Sequence, residues 1–142
     1  SLVTAIAMEN LHVFSRTIQV NNDHIDALHH VNNVQYLQWM MEAAEQHWQS
    51  RAQPEMISDL IWVVRRHEID YLGQAIAGDV LLLSTWTGSY AGAVWWRHFT
   101  IQQAANNAPL VTAATQFALV NRKTGKPQPI RQPIVSVFLE QA

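Results

Sequence analysis

The chain is 142 residues long, with 49% apolar residues, six Trp, no Cys and a formal charge of −2. That length suits one domain able to bury roughly two thirds of its unfolded surface, and the composition excludes global disorder. The lack of a basic excess argues against nucleic acid as a partner. The lack of Cys removes disulfides, thiolate nucleophiles and Cys-ligated zinc together.

The first eight residues, Ser1 to Met8, are mildly apolar and too short to cross a bilayer. They have neither a basic start nor a long apolar stretch, so they read as a flexible N-terminal segment and not as a secretory signal. No run of eighteen apolar residues follows, so a cytoplasmic protein with no membrane partner is expected. No repeat, low-complexity tract or linker divides residues 1–142, which read as a single domain.

In chain order, His12 to Val20 alternates loosely through Val13, Phe14, Thr17, Ile18 and Val20, and predicts a first strand. Asn21 to Asn32 is polar and turn-like. From Asn33 the apolar positions Val34, Leu37, Met40, Met41, Ala44 and Trp48 recur at three- and four-residue steps, one face of a helix ending near Ser50. Asn32 is suited to cap it, because its side chain can accept an unpaired N–H of the first turn. Pro54 excludes a continued helix.

The remainder reads as strands: Leu60 to Tyr71, Val80 to Tyr90, Ala93 to Gln103 and Leu110 to Asn121. Turns fall at Ala77-Gly78-Asp79, at Asn106-Asn107 and over Arg122 to Pro127. Val135 to Leu139 predicts a short closing strand. One strand, a long helix and then four long strands with hairpin-sized connections define the α+β class, an antiparallel sheet with one helix packed on a face. Strands this long and apolar leave an edge wanting cover, so a homodimer is expected.

The chemistry concentrates just before the helix. Asp23 to Asn33 holds two carboxylates, three His and two Asn within eleven positions. A carboxylate beside the free N–H groups of a helix entrance suits acyl transfer or hydrolysis, where a base or nucleophile works with a donor that polarises a carbonyl. With no Cys and no GxSxG elbow, a carboxylate is the natural candidate. On residue types alone Asp26 reads first as a turn or capping residue, Asp23 as a cap, and His30 as a structural loop His. His24, Asp26, His29 and His30 have no recognised ligand spacing, so no metal is expected.

The stretch His24-Ile25-Asp26-Ala27-Leu28-His29-His30-Val31-Asn32-Asn33-Val34-Gln35-Tyr36-Leu37, followed by Glu42, resembles a motif of the hotdog-fold thioesterases, the 4-hydroxybenzoyl-CoA and acyl-ACP thioesterase group. The shared elements are the second Asp of that motif, the His-Val-Asn-Asn run, the Tyr-Leu pair and the Glu. Val63 to Leu72, Gly78-Asp79-Val80-Leu81 and Arg122 to Pro127 resemble later strands and the last hairpin of the same group, so the likeness runs from about His12 to Pro133.

The resemblance implies a hotdog fold, an antiparallel sheet wrapped around one long helix, working as a homodimer or homotetramer on acyl-CoA or acyl-ACP. It implies hydrolysis with Asp26 as nucleophile or general base, the Asn33 backbone N–H polarising the carbonyl, and His30 in support. Glu42 is the second carboxylate candidate, because some hotdog thioesterases use one from the helix. Arg122, Lys123 and Lys126, or Arg65 and Arg66, would hold the phosphates of coenzyme A, which enters with the substrate; no further cofactor is implied.

Three departures weigh against a simple transfer. His24 stands where the group has its first Asp, His29 where it has Gly, and Leu28 where plant-type acyl-ACP thioesterases have Asn. The changes at His24 and His29 favour a rival, a non-catalytic acyl-thioester binder. A second rival, hydration or dehydration of acyl thioesters, needs a His–carboxylate motif that is not intact here.

Overall fold

The computed structural model describes residues 10–140, so the N-terminal segment 1–8 lies outside the described residues. Strand β1 (Phe14–Gln19) leads through a 3-10 turn (Asn22–His24) and a loop into helix α1 (Asn33–Arg51). A short helix α2 (Pro54–Asp59) precedes β2 (Leu60–Tyr71), β3 (Val80–Ala91), β4 (Val94–Gln103) and β5 (Pro109–Asn121), and one helical turn, α3 (Ile134–Val137), ends the fold. The sheet is antiparallel throughout, in the order β1-β3-β4-β5-β2.

Helix α1 forms where the apolar spacing places it. Asn32 caps it, its side-chain oxygen accepting from Val34 N at 2.8 Å. Pro54 ends the run as expected but also starts α2, where its missing N–H costs nothing at the first helical position. The face of α1 carrying Tyr36, Trp39, Met40, Ala43 and Ala44 is buried against inward residues of the sheet, among them Leu81, Leu83, Phe99, Ile101 and Val111. A second cluster, around Trp48, Trp95, Leu119, Ile134 and Phe138, closes the other end of the helix.

The expected closing strand, Val135 to Leu139, is not a strand. Ile134, Val137 and Phe138 are all buried, a helical spacing and not an alternating one, and Leu139 keeps only an isolated bridge to Leu11. Plugging the end of the sheet asks for a turn of helix there.

Candidate active site

The loop between β1 and α1 is tied down at several points. Ile25 and Val31 form a bridge, Asp26 N donates to His30 O at 2.8 Å, His29 N to Asp26 O at 3.0 Å, and Val31 N to Ala75 O at 2.9 Å. The His24 ring stands edge-on to Trp39, 4.8 Å between centroids, and its Nδ1 accepts from Asn21 N at 3.1 Å. His29 has φ 66°, the left-handed conformation that Gly adopts most readily. His29 thus holds a left-handed backbone conformation of the kind open to Gly without strain.

Inside this loop Asp26 is half-buried and its two oxygens differ. Oδ1 accepts from Leu28 N at 2.9 Å and His30 N at 3.3 Å, an Asx-type arrangement. Oδ2 has no partner among the described residues. The turn role and a chemical role are thus compatible: one oxygen fixes the carboxylate while the other stays available.

Asn33 opens α1, and its N–H has no acceptor among the described residues, since Asn32 serves Val34 N and Gln35 N instead. Its carbonyl accepts from Tyr71 Oη at 3.3 Å, which ties the helix start to the end of β2. Tyr36 lies beneath, its Oη accepting from Ala75 N at 3.2 Å, with burial raising its pKa above the ordinary phenol value.

The other expected residues fall elsewhere. Asp23 does not cap; Asn21 does, accepting from Asp23 N at 2.9 Å, because the 3-10 turn already begins at Asn22 and Asp23 lies inside it. His30 is half-buried beside Asp26, with no partner for its ring among the described residues. Glu42 is exposed and reaches Arg16 of β1 at 3.6 Å, with Gln38 donating to it at 3.4 Å. Arg66 pairs with its strand neighbour Glu68 at 2.9 Å.

Arg122, Lys123 and Lys126 are not brought to Asp26 within one chain. Leu60 pairs with Asn121 and Tyr71 with Val111, so that turn and the Asp26 loop lie at opposite ends of twelve-residue β2, about 36 Å apart. Arg122 is also engaged, donating to the carbonyls of Ile57, Ser58 and Leu60 at 3.1–3.3 Å and closing the end of α2. Lys123 borders a surface cleft beside Asn121 and Thr124.

Sequence reasoning missed one set of polar residues altogether. His47 is fully buried on α1; its Nδ1 lies 2.9 Å from Arg97 Nη1 and its Nε2 2.9 Å from His12 Nδ1. Their positions carried a signal: His47 follows Met40 and Ala43 on the apolar face, and Arg97 alternates with Trp95 and Phe99 on the inward face of β4. Among the described residues no three His, Cys, Asp or Glu come together as a metal site. No helix there is long and apolar enough to cross a membrane.

A five-stranded antiparallel sheet with one long helix on its face, entered through a tethered polar loop, is the hotdog fold of thioesterases. Residues 11–138 match the family model of the acyl-ACP thioesterase N-terminal domain, and the chain belongs to that family. A chloroplastic acyl-[acyl-carrier-protein] hydrolase, FATB3 of Cuphea viscosissima, is 31% identical over 94 residues, 63% of this chain. The matched region is 23% of that curated relative's length.

Among solved structures, the 1,4-dihydroxy-2-naphthoyl-CoA thioesterase of Synechocystis superposes with a TM-score of 0.77 at 25% identity, over 89% of this chain and 95% of that one. The 12:0-ACP thioesterase of Umbellularia californica gives 0.77 at 22% identity, over 91% of this chain and 51% of that one, a likeness of fold.

Proposed function

We propose that the protein hydrolyses an acyl-CoA thioester to the free acid and coenzyme A, with Asp26 as nucleophile or general base. The observation that carries this reading is the asymmetry of the Asp26 carboxylate: Oδ1 is held by two backbone N–H groups and Oδ2 has none, in the loop that leads to the acceptor-free N–H of Asn33. As a base, Oδ2 takes a proton from water, the hydroxide adds to the thioester carbon, and the C–S bond breaks with the proton passing to the thiolate. As a nucleophile, Oδ2 adds to that carbon itself, expels the thiolate, and leaves an anhydride that water cleaves. In both routes the Asn33 N–H stabilises the oxyanion; one such donor is worth about 3–4 kcal/mol of barrier. His30 supports the loop side of the site.

A homodimer would support coenzyme A as the carrier. β2 is an edge strand with Val63, Val64 and Tyr71 exposed. Antiparallel pairing of two β2 edges about a two-fold axis covers that edge and sets the Leu60 end of one copy beside the Tyr71 end of the other. Lys123 and Lys126 of the second copy then approach the Asn33 end of the first, where they meet the phosphates of coenzyme A. Acyl-carrier protein is the second carrier reading, favoured by the family match.

Thiol release from a panel of acyl-CoAs and the corresponding acyl-carrier thioesters, with sedimentation of the protein alongside, tests both parts. Turnover on the CoA series by a species of at least twice the 16.2 kDa chain mass supports the proposal. Binding of acyl-CoA with no release of thiol from any thioester replaces it with the non-catalytic reading.

A further inference from the structure

A cavity of about 250 Å³ opens between the C-terminal half of α1 and the sheet, away from the Asp26 loop. Aromatic residues dominate its wall, with Trp48 from α1, Trp62 from β2, Trp95 from β4 and Phe138 from the C-terminal segment. Its buried polar groups are Arg97 and Thr87, register partners on β4 and β3 that are 5% and 2% exposed.

The polar groups in this wall are only partly satisfied, although the Phe138 ring covers one face of the Arg97 guanidinium at 4.8 Å. Arg97 uses Nη1 on His47 Nδ1 at 2.9 Å and Thr85 Oγ1 at 3.1 Å, both neutral acceptors. The N–H groups on Nε and Nη2 have no acceptor among the described residues, and neither of the ion pairs found there involves Arg97. Thr87 Oγ1 and Trp62 Nε1 are buried with no hydrogen bond among the described residues. A buried cation without a counter-charge, beside an unused hydroxyl and an unused indole N–H, is costly unless something that accepts hydrogen bonds fills the space.

The chemistry of that occupant is constrained. It must accept from several donors and carry negative charge, and its remainder must suit aromatic walls. A carboxylate fits the guanidinium fork. A cavity of about 150 Å³ already takes up benzene, so this one has room for a ring or a short aliphatic segment with its carboxylate. Glu45 also borders the cavity, but it is exposed and held by Gln49 at 2.7 Å, so it belongs to the solvated rim.

We propose that this cavity binds a carboxylate on an aromatic or short aliphatic body, gripped by Arg97 with Thr87 and Trp62 donating to it. Resting on the thioesterase reading above, the carboxylate is the distal end of the acyl group, and the preferred substrate is the monothioester of a dicarboxylic acid. The cavity borders α1 from Met41 to Trp48, eight to fifteen residues past Asn33, or about 12–22 Å along the helix. At that distance the cavity receives a far end and not the reacting carbonyl, so the acyl group must be long enough to span the separation, with only its carboxylate-bearing end in the cavity.

Tryptophan fluorescence reads the cavity directly, with benzoate as probe and uncharged benzamide as control. Benzoate should quench saturably and bind at least about tenfold more tightly than benzamide, a margin set by charged hydrogen bonds. Arg97→Met should erase that margin, and Thr87→Val, which keeps the volume and the buried cation, should weaken benzoate several-fold. Glu45→Gln should leave benzoate binding equal or tighter. Equal binding of the two probes by a folded wild type, or no saturable quench with either, overturns the pocket.

The substrate part is read by comparing ω-carboxyacyl-CoA with the ω-methyl acyl-CoA of the same length. A kcat/KM preference for the former that Thr87→Val and Arg97→Met reduce supports it; no preference overturns it. Benzoate bound without hydrolysis of any thioester keeps the pocket and sinks the thioesterase reading. Hydrolysis without benzoate binding does the reverse.

Discussion

Arg97 donates from Nη1 to His47 Nδ1 at 2.9 Å, and this bond fixes the protons of two histidines. A guanidinium only donates, so His47 must accept at Nδ1 and carry its proton on Nε2. That proton then goes to His12 Nδ1, 2.9 Å away, and His12 keeps its own on Nε2. Burial first, then Arg97, His12 and Arg51, push the His47 pKa from 6.5 to about 3, while burial holds Arg97 at about 9, still charged at neutral pH.

This chain makes stability acid-sensitive. The folded state keeps His47 neutral, whereas the unfolded chain takes up a proton near pH 6.5, so between pH 6.5 and about 3 the unfolded state binds more protons. Stability therefore rises with pH across that window and falls on acidification, by up to about 1.4 kcal/mol per pH unit. His12 is lowered in the same direction by burial and Arg51 and adds to the slope. Unfolding free energies at pH 7, 6 and 5 should show the loss. His47→Gln, which can still accept from Arg97, should reduce the slope by about one proton; an unaltered slope would assign the acid sensitivity elsewhere.

Two substitutions at Asp26 separate its turn role from its chemistry. Asp26→Asn keeps Oδ1 as acceptor for Leu28 N and His30 N, so the loop should hold and the melting temperature should barely move. Thiol release should nevertheless fall by about a hundredfold or more, because the free oxygen no longer acts as base or nucleophile. Asp26→Ala should lose activity and also about 1 kcal/mol of stability. Full turnover in Asp26→Asn would shift the role to Glu42, whose exposed pairing with Arg16 leaves it accessible.

The left-handed backbone at His29 predicts an unusual order of substitutions. His29→Gly should leave stability unchanged or raise it by less than about 1 kcal/mol, strain relief being offset by the freer unfolded chain. His29→Val should cost about 1–2 kcal/mol, since a β-branched residue resists φ 66°. Thermal melts of the three proteins check the order, and a valine variant as stable as wild type would mean that the loop rearranges.

What the sequence revealed and what it hid follow from the range of the forces involved. Leu60–Tyr71 and the start of α1 at Asn33 are legible to the residue, because turns, caps and periodicity act locally. The segment after Pro133 misled, because its helical turn answers to the open end of the sheet, which only the assembled fold presents. The motif singles out Asp26, yet which of its oxygens is held depends on where the N–H groups of Leu28 and His30 come to lie. The His12–His47–Arg97 chain was hidden for the same reason. Its members are 35 and 50 residues apart in sequence, and nothing local says that a polar residue on a core face has found a partner.

The cations of the 122–127 turn give the last prediction, since structure and proposal divide them. Arg122 closes α2 through the carbonyls of Ile57, Ser58 and Leu60, whereas the Lys123 and Lys126 side chains have no partner among the described residues. Arg122→Met should therefore lower stability by about 1 kcal/mol and leave the KM for acyl-CoA within about twofold, while Lys123→Gln with Lys126→Gln should leave stability alone and raise KM several-fold, an effect that salt should mimic in wild type. Dephospho-coenzyme A thioesters, which lack the 3′-phosphate, should show the KM rise with the wild type and little further rise with the double variant. Because the turn sits about 36 Å from the Asp26 loop of its own chain, a KM effect also requires the second copy. Mixing an Asp26→Asn chain with the double-lysine variant should then yield hybrid dimers in which one site combines wild-type Asp26 with wild-type lysines and works at the normal KM. If the mixture shows only the raised KM, the lysines serve the site of their own chain and the β2 pairing is wrong.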